Sequence, residues 1–283
     1  MRYILAAALA ATFSVRAAAQ ETVLTREPGL PAWLEDRGTG VPASMFGTYI
    51  RKGELVIYPF YEYYYDSDAE YSPAGLGFGI DKDYRGKYTA HEGLIFIGYG
   101  LTEDAAVELE AAVITAKQRK AADDPSAMPA ELKQGGIGDI EGQFRWRFRR
   151  EDERRPELFT YFETVFPLQK QKLLIGTPDW EFKLGVGAAK GFGFGTLTAR
   201  ASVEYDRAES KAKLGEMAVE YVKKLSPRFR VHLGVEGAQD EVEGITELQW
   251  HWAERSYFKL NNAFGLTSKA TDFAPEAGIA FVF

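Results

Sequence analysis

From Glu54 to the C-terminus the chain divides into segments of about 10–14 residues in which apolar and polar side chains alternate, separated by Gly, Pro, Asp and charged clusters. The alternation is plainest over Asp139–Arg149. There Ile140, Phe144, Trp146 and Phe148 share one parity with Gly142, and Asp139, Glu141, Gln143, Arg145, Arg147 and Arg149 the other. Thr196–Asp206 repeats the pattern, with Leu197, Ala199, Ala201, Val203 and Tyr205 against Arg200 and Glu204, and Arg228–Glu236 sets Phe229, Val231, Leu233 and Val235 against Arg228, Arg230, His232 and Glu236. A period of two sends successive side chains to opposite faces of a strand. Strands are predicted near 54–65, 85–100, 104–118, 137–149, 157–168, 179–191, 194–206, 213–225, 228–240, 243–254, 256–268 and 273–283. Between them short connections (Leu101–Asp104, Gly191–Phe194, Leu225–Arg228, Glu254–Ser256) alternate with longer ones at 66–84, 119–136 and 169–178. Arg150–Pro156 breaks that alternation as a charged turn on the short side.

An alternating strand also suits a soluble lipocalin-like barrel or a β-sandwich. In either, the charged parity faces water and the Phe, Trp, Leu and Tyr of about twelve strands would overfill the interior. Turned inside out, the same residues make an apolar outer band around a charged lumen. The predicted fold is therefore all-β: a transmembrane antiparallel up-and-down β-barrel of about 12 strands over 53–283, with ten or fourteen strands left open. An even count puts both ends on the periplasmic side.

Both ends of the chain carry further signals. Met1-Arg2-Tyr3, the apolar run Ile4–Val15, Arg16 and Ala17-Ala18-Ala19 have the layout of a secretory signal peptide over 1–19. Its removal takes Arg2 and Arg16 and moves the net charge from −7 to −9, which argues against a nucleic-acid partner. With no cysteine, the chain has no disulfide, no lipoprotein anchor and no thiolate metal site. At the other end Ile279, Phe281 and Phe283 share one parity and the last residue is aromatic, resembling the C-terminal signal read by the barrel-assembly machinery. Together these predict the outer membrane of a Gram-negative cell, with outer-membrane lipid and lipopolysaccharide around the barrel and the assembly machinery as a partner during biogenesis.

With the apolar parity toward lipid, the lumen receives Glu108 and Glu110 on one strand and Arg145 and Arg147 on the next, together with Lys183, Arg200, Glu204, Glu216, Glu220, Arg228, Arg230, Glu236, Glu247, His251 and Lys259. Adjacent strands lie about 4.8 Å apart, so opposite charges can pair across the ladder. Such charges either fill and rigidify the barrel or line a narrow aqueous path. Residues 20–52 form an N-terminal periplasmic segment, with a short helical candidate at Ala32–Arg37. They are either a solvated tail or a plug whose Trp33, Leu34, Met45 and Phe46 dock in the periplasmic mouth. The histidines are His91, His232 and His251, and neither His232 nor His251 has a serine at a neighbouring position on its strand. No GxSxG, HExxH or Walker loop is present. No catalytic residue, metal ligand or cofactor is expected, and the glycines at Gly185, Gly187, Gly191, Gly193 and Gly195 are read as barrel curvature.

Gly98-Tyr99-Gly100-Leu101-Thr102-Glu103-Asp104 with Ala105–Val113, and Gly136-Ile137-Gly138-Asp139 opening the arginine strand, resemble the transporter-like barrels of the MetA-pathway phenol-degradation family. Val41–Pro59 is similar to a set of uncharacterised proteobacterial outer-membrane proteins. That resemblance implies a barrel and uptake of small organic compounds, and carries over no binding residue. The expectation is a passive channel or facilitator for small solutes. A non-conducting structural or adhesion barrel that binds a partner through loop 66–84 is the alternative, and a barrel hydrolase the third.

Overall fold

The computed structural model describes residues 30–283. The predicted signal peptide and residues 20–29 of the N-terminal segment lie outside the described residues. Two short strands, β1 (Val41–Pro42) and β2 (Tyr49–Ile50), pair only with each other. The barrel follows as β3 (Leu55–Tyr71), β4 (Tyr84–Gly100), β5 (Ala105–Arg119), β6 (Glu131–Arg149), β7 (Glu157–Phe166) and β8 (Glu181–Phe192). It continues through β9 (Gly195–Asp206), β10 (Lys211–Lys224), β11 (Phe229–Ala238), β12 (Glu241–Ala253), β13 (Ser256–Gly265) and β14 (Ala274–Val282). Each strand is antiparallel to the next, and β14 returns to β3 through Glu276↔Glu62 and Phe281↔Ile57, closing twelve strands with no free edge. Backbone bonds between Leu55 and Phe283, 3.2 and 2.9 Å, finish the seam.

The exposure pattern sets the two faces. Leu109, Val113, Leu184, Val186, Val203, Leu233 and Leu260 are exposed, while Glu108, Gln143, Arg145, Glu247 and Lys259 are buried. A band of apolar side chains outside and polar ones inside suits a lipid surround. Trp146, Phe148, Phe192, Phe194, Trp250, Trp252 and Phe283 stand exposed near the end that holds the short turns and both chain ends of the barrel. Tyr61 and Phe273 are exposed toward the other end, where Phe166 meets Trp180 edge-on and Trp180 stacks on Phe182. Such aromatic girdles sit at the two lipid–water interfaces. Among the described residues no helix is long and apolar enough to cross a membrane.

Two long loops are shorter than the pattern predicted. Strand β3 runs on to Tyr71 and β6 begins at Glu131, because ladder pairing continues through polar sequence at Glu70↔Arg85 and Lys117↔Lys133. Polar side chains obscure a strand once it has left the apolar band. The outer loops 72–83 and 120–130 pack together instead of hanging free: Tyr71 donates to Asp124 at 2.9 Å, and Met128 is buried against Tyr71 and Tyr84. The helical candidate at Ala32–Arg37 is a single 3₁₀ turn, Ala32–Leu34, since the chain reverses at Gly38 (φ +84°) and the wall holds Asp36 and Arg37. Gly185 and Gly187 do something more local than curve the barrel. Each lies directly opposite an inward aromatic, Tyr161 and Phe159, whose ring occupies the place of a Cβ.

Candidate functional site in the barrel lumen

Residues 30–53 enter the lumen from the end with the short turns. Their β1–β2 hairpin carries its reversal, Ala43–Thr48, inward to the level of β11–β13. Polar groups hold it. Arg37 reaches Glu151 at 2.9 Å and Glu157 at 3.0 Å with all three side chains buried, and Arg147 shares Glu157 at 3.0 Å. Arg147 also donates to the carbonyls of Thr39 (2.9 Å) and Gly40 (3.2 Å), and Arg145 to that of Pro42 (2.9 Å). Ser44 gives both its N–H and its hydroxyl to Glu108, which pairs with Arg145 at 3.2 Å. Near the reversal Lys259 donates to Phe46 O (2.8 Å) and Gln249 to Gly47 O (3.0 Å), while Glu247 pairs with Lys259 at 3.0 Å. Asp36 accepts from Lys224 N at 2.9 Å.

Close approach explains two glycines here. At Gly47 (φ +67°) a side chain would enter the His232 ring, and at Gly191 it would meet the Trp33 carbonyl. Trp33, Leu34, Met45 and Phe46 are all half-buried. Phe46 meets His232 edge-on with centroids 5.6 Å apart, and Met45 packs on the cluster around Tyr58 and Phe96.

The outer half of the lumen is different in sign. Lys183 pairs with Glu163 at 3.0 Å, and Arg200 with Glu216 (2.7 Å), Glu220 (3.2 Å) and Glu236 (2.6 Å). Across from them Glu276, Glu62 and Glu92 stand in one row over β14, β3 and β4, and Glu110 faces Glu141 between β5 and β6. Glu92, Glu110 and Glu141 have no ion-pair partner among the described residues, and they line a space of about 210 Å³. Carboxylates kept without counter-charge need water. Loop 167–180 folds against this wall: Ile175 is buried on Ala90 and Ala116, and Asp139 accepts from the backbone N–H of Leu168 (2.6 Å), Gln169 (3.0 Å) and Thr177 (2.5 Å). A bulge in β6, where Ala111 and Val113 pair with Ile140 and Ile137, frees Asp139 for this role.

The structure gathers the expected lumen residues into three groups. Arg145, Arg147, Glu108, Glu247 and Lys259 hold the hairpin; Lys183, Arg200, Glu204, Glu216, Glu220 and Glu236 form one mixed-charge wall; Arg230 and His251 line a cavity of about 970 Å³ beside the hairpin. Glu110 lies on the acidic side. Arg228 is a correction. It sits exposed in the Leu225–Phe229 turn, because Ser226 and Pro227 end the pairing and β11 starts one residue later. Ile279 and Phe283 are exposed on the outer face and Phe281 is half-buried beside them. Residues not foreseen are Arg37, Glu151, Glu157, Gln249, Ser44 and Asp139. His232 is fully buried, 3.7 Å from Glu247, with no serine hydroxyl bonded to either ring nitrogen. Among the described residues no group of three or more metal-ligating side chains is assembled.

No protein-family model matches the chain, and no curated protein matches it in sequence. Solved structures do resemble it. An outer-membrane channel of Pseudomonas putida F1 superposes with a TM-score of 0.61 at 13% identity, covering 86% of this chain and 100% of that one. The fold is that of an outer-membrane β-barrel. The KdgM porin, solved in complex with oligogalacturonate, matches at TM-score 0.51 and 7% identity over 81% of this chain and 99% of its own. The translocator domain of the autotransporter NalP from Neisseria meningitidis matches at 0.51 and 10% identity over 82% and 89%. At these identities the likeness is one of fold, and it does not confirm the phenol-degradation family.

Proposed function

We propose that this chain is an outer-membrane channel for small solutes, closed at its periplasmic end by its own residues 30–53. The observation that carries the reading is the outer half of the lumen, where Glu92, Glu110 and Glu141 line open space with no ion-pair partner among the described residues. A barrel that only needed filling would pair or omit such charges, as the half around the hairpin pairs Arg37, Arg145 and Lys259. The hairpin is tied by side-chain bonds to its carbonyls and by buried ion pairs, and no barrel strand pairs with it in the sheet. Such a segment can leave as a unit while the barrel stays closed. The channel likenesses of fold support the reading, which makes His232 a packing residue under Phe46 and Gly47.

The test is single-channel conductance in a planar bilayer for the intact protein and for a variant lacking residues 20–48. Brief openings of the intact protein and larger, steady ones of the variant are expected. Silence from both, with each folded and heat-modifiable on a gel, would transfer the chain to the structural barrels.

A further inference from the structure

Arginines that point into the lumen find carboxylates: Arg37 pairs with Glu157, Arg145 with Glu108, Arg147 with Asp104 and Arg200 with Glu220. Arg230, on β11, does not. Among the described residues its half-buried guanidinium makes no hydrogen bond and no ion pair. The ladder makes this costly, because the β10–β11 register sets Lys224 directly opposite Arg230, and like charges so placed repel. On its other side β12 offers only the neutral Gln249. Two cations on neighbouring strands, one of them unpartnered, are an arrangement that a bound anion would relieve.

The space for one is present. Arg230 lines the cavity of about 970 Å³ between the hairpin and the β10–β13 wall, open at the end with the short turns. Tyr49 of the hairpin, Tyr257 stacked on His251 at 4.7 Å, Val56 and Val282 give it one flat, apolar side, while the rest of its lining is mostly charged, with carboxylates at Glu35, Glu54, Glu103 and Glu254 as well as further cations. A guanidinium fork takes a carboxylate through two parallel hydrogen bonds, and tyrosine faces take a planar apolar body.

We propose that this cavity binds a small organic carboxylate, its charged end on Arg230 and its apolar body against Tyr49 and Tyr257. The ligand enters from the periplasmic side, since the acidic outer half repels anions. The site is independent of whether the barrel conducts. It does touch the hairpin and the wall together, so an occupied cavity also holds the hairpin in place.

Benzoate is the probe, titrated calorimetrically into the intact, detergent-folded protein, with acetate and with sodium chloride at matched ionic strength as comparisons. Saturable benzoate binding is expected, weaker for acetate and absent for chloride. Arg230→Gln should weaken it at least tenfold, while Arg228→Gln, in the exposed turn, leaves it unchanged. Without ligand, Arg230→Gln should melt no lower than the unaltered protein, because one of two facing cations is gone, and benzoate should raise the melting temperature of the unaltered protein only. If Arg230→Gln does not fold, Arg230→Lys takes its place, with a severalfold loss expected as the fork disappears. No saturable binding, equal affinity in the substituted proteins, or an equal effect of chloride would overturn the proposal. In bilayers, benzoate on the periplasmic side should shorten openings. Binding without that effect would leave the site standing and count against the hairpin as the gate.

Discussion

At the scale of single residues, a few buried carboxylates each serve two masters. Glu157 takes Arg37 from the hairpin and Arg147 from β6, both at 3.0 Å and all nearly solvent-free. Removing the carboxylate takes one partner from each of two buried cations, leaving Arg37 to Glu151 and Arg147 to Asp104, so Glu157→Ala should cost about 3 kcal/mol, the low end for breaking a buried pair, read as a lower midpoint of heat modification on a gel. Asp104 offers a pH test outside the strands. Hydrogen bonds from the Arg150 guanidinium, then from Arg147, hold its carboxyl below the ordinary 3.8. A depressed carboxylate contributes stability that is complete above its unfolded value and lost as pH falls through the folded one. The melting temperature should therefore drop as pH is lowered below about 3.8, and Asp104→Asn should flatten that part of the profile.

Elements differ in how they are tied to the barrel. The strands share a continuous hydrogen-bonded ladder, whereas loop 167–180 is held by side chains: Asp139 accepts three of its backbone N–H groups, Gln134 accepts from Leu174 N, and Ile175 is buried on Ala90 and Ala116. Asp139→Ala should free that loop while the sheet persists, seen as protease cleavage between 167 and 180 of a barrel that still migrates as folded. Conductance noise should rise with it. The hairpin is the second such element, and its seat depends on glycine: Gly47→Val places a branched side chain into His232 at a positive φ. Its conductance should approach that of the variant lacking 20–48.

For the whole molecule the excess of carboxylates lies toward the outer half of the lumen. That half presents Glu62, Glu92, Glu110, Glu141 and Glu276 from consecutive strands, while the cavity beside the hairpin mixes cations such as Arg37, Arg230 and Lys224 with Glu35, Glu54, Glu103 and Glu254. A lumen with an acidic entrance concentrates cations. The reversal potential under a salt gradient should show cation preference, strongest at low salt where the Debye length is about 30 Å at 0.01 M. Replacing Glu92, Glu110 and Glu141 together by Gln should abolish most of it. An unchanged potential would place the selectivity at the hairpin instead.

The period-two pattern by itself determined that the chain is a barrel, which parity faces lipid, and where the strands begin and end within the apolar band. Lipid imposes one rule on every outward position, so the rule repeats in the sequence at Trp146, Val203, Leu233 and Leu260. It failed where that rule stops: β3 and β6 run beyond the membrane through polar residues, and Arg228 falls in a turn. The lumen obeys no such local rule. Glu157 meets Arg37 across 120 residues and Lys259 meets Phe46 across 213, and no spacing announces a partner brought close only when the barrel closes. The sequence singled out the apolar Trp33, Leu34, Met45 and Phe46 of the segment before β3, while the bonds that seat it run through Asp36, Arg37, Ser44 and backbone carbonyls. Tertiary structure alone decided which inward charges are satisfied and which, like Arg230, are left over, because pairing inside a barrel depends on register and on what the lumen encloses.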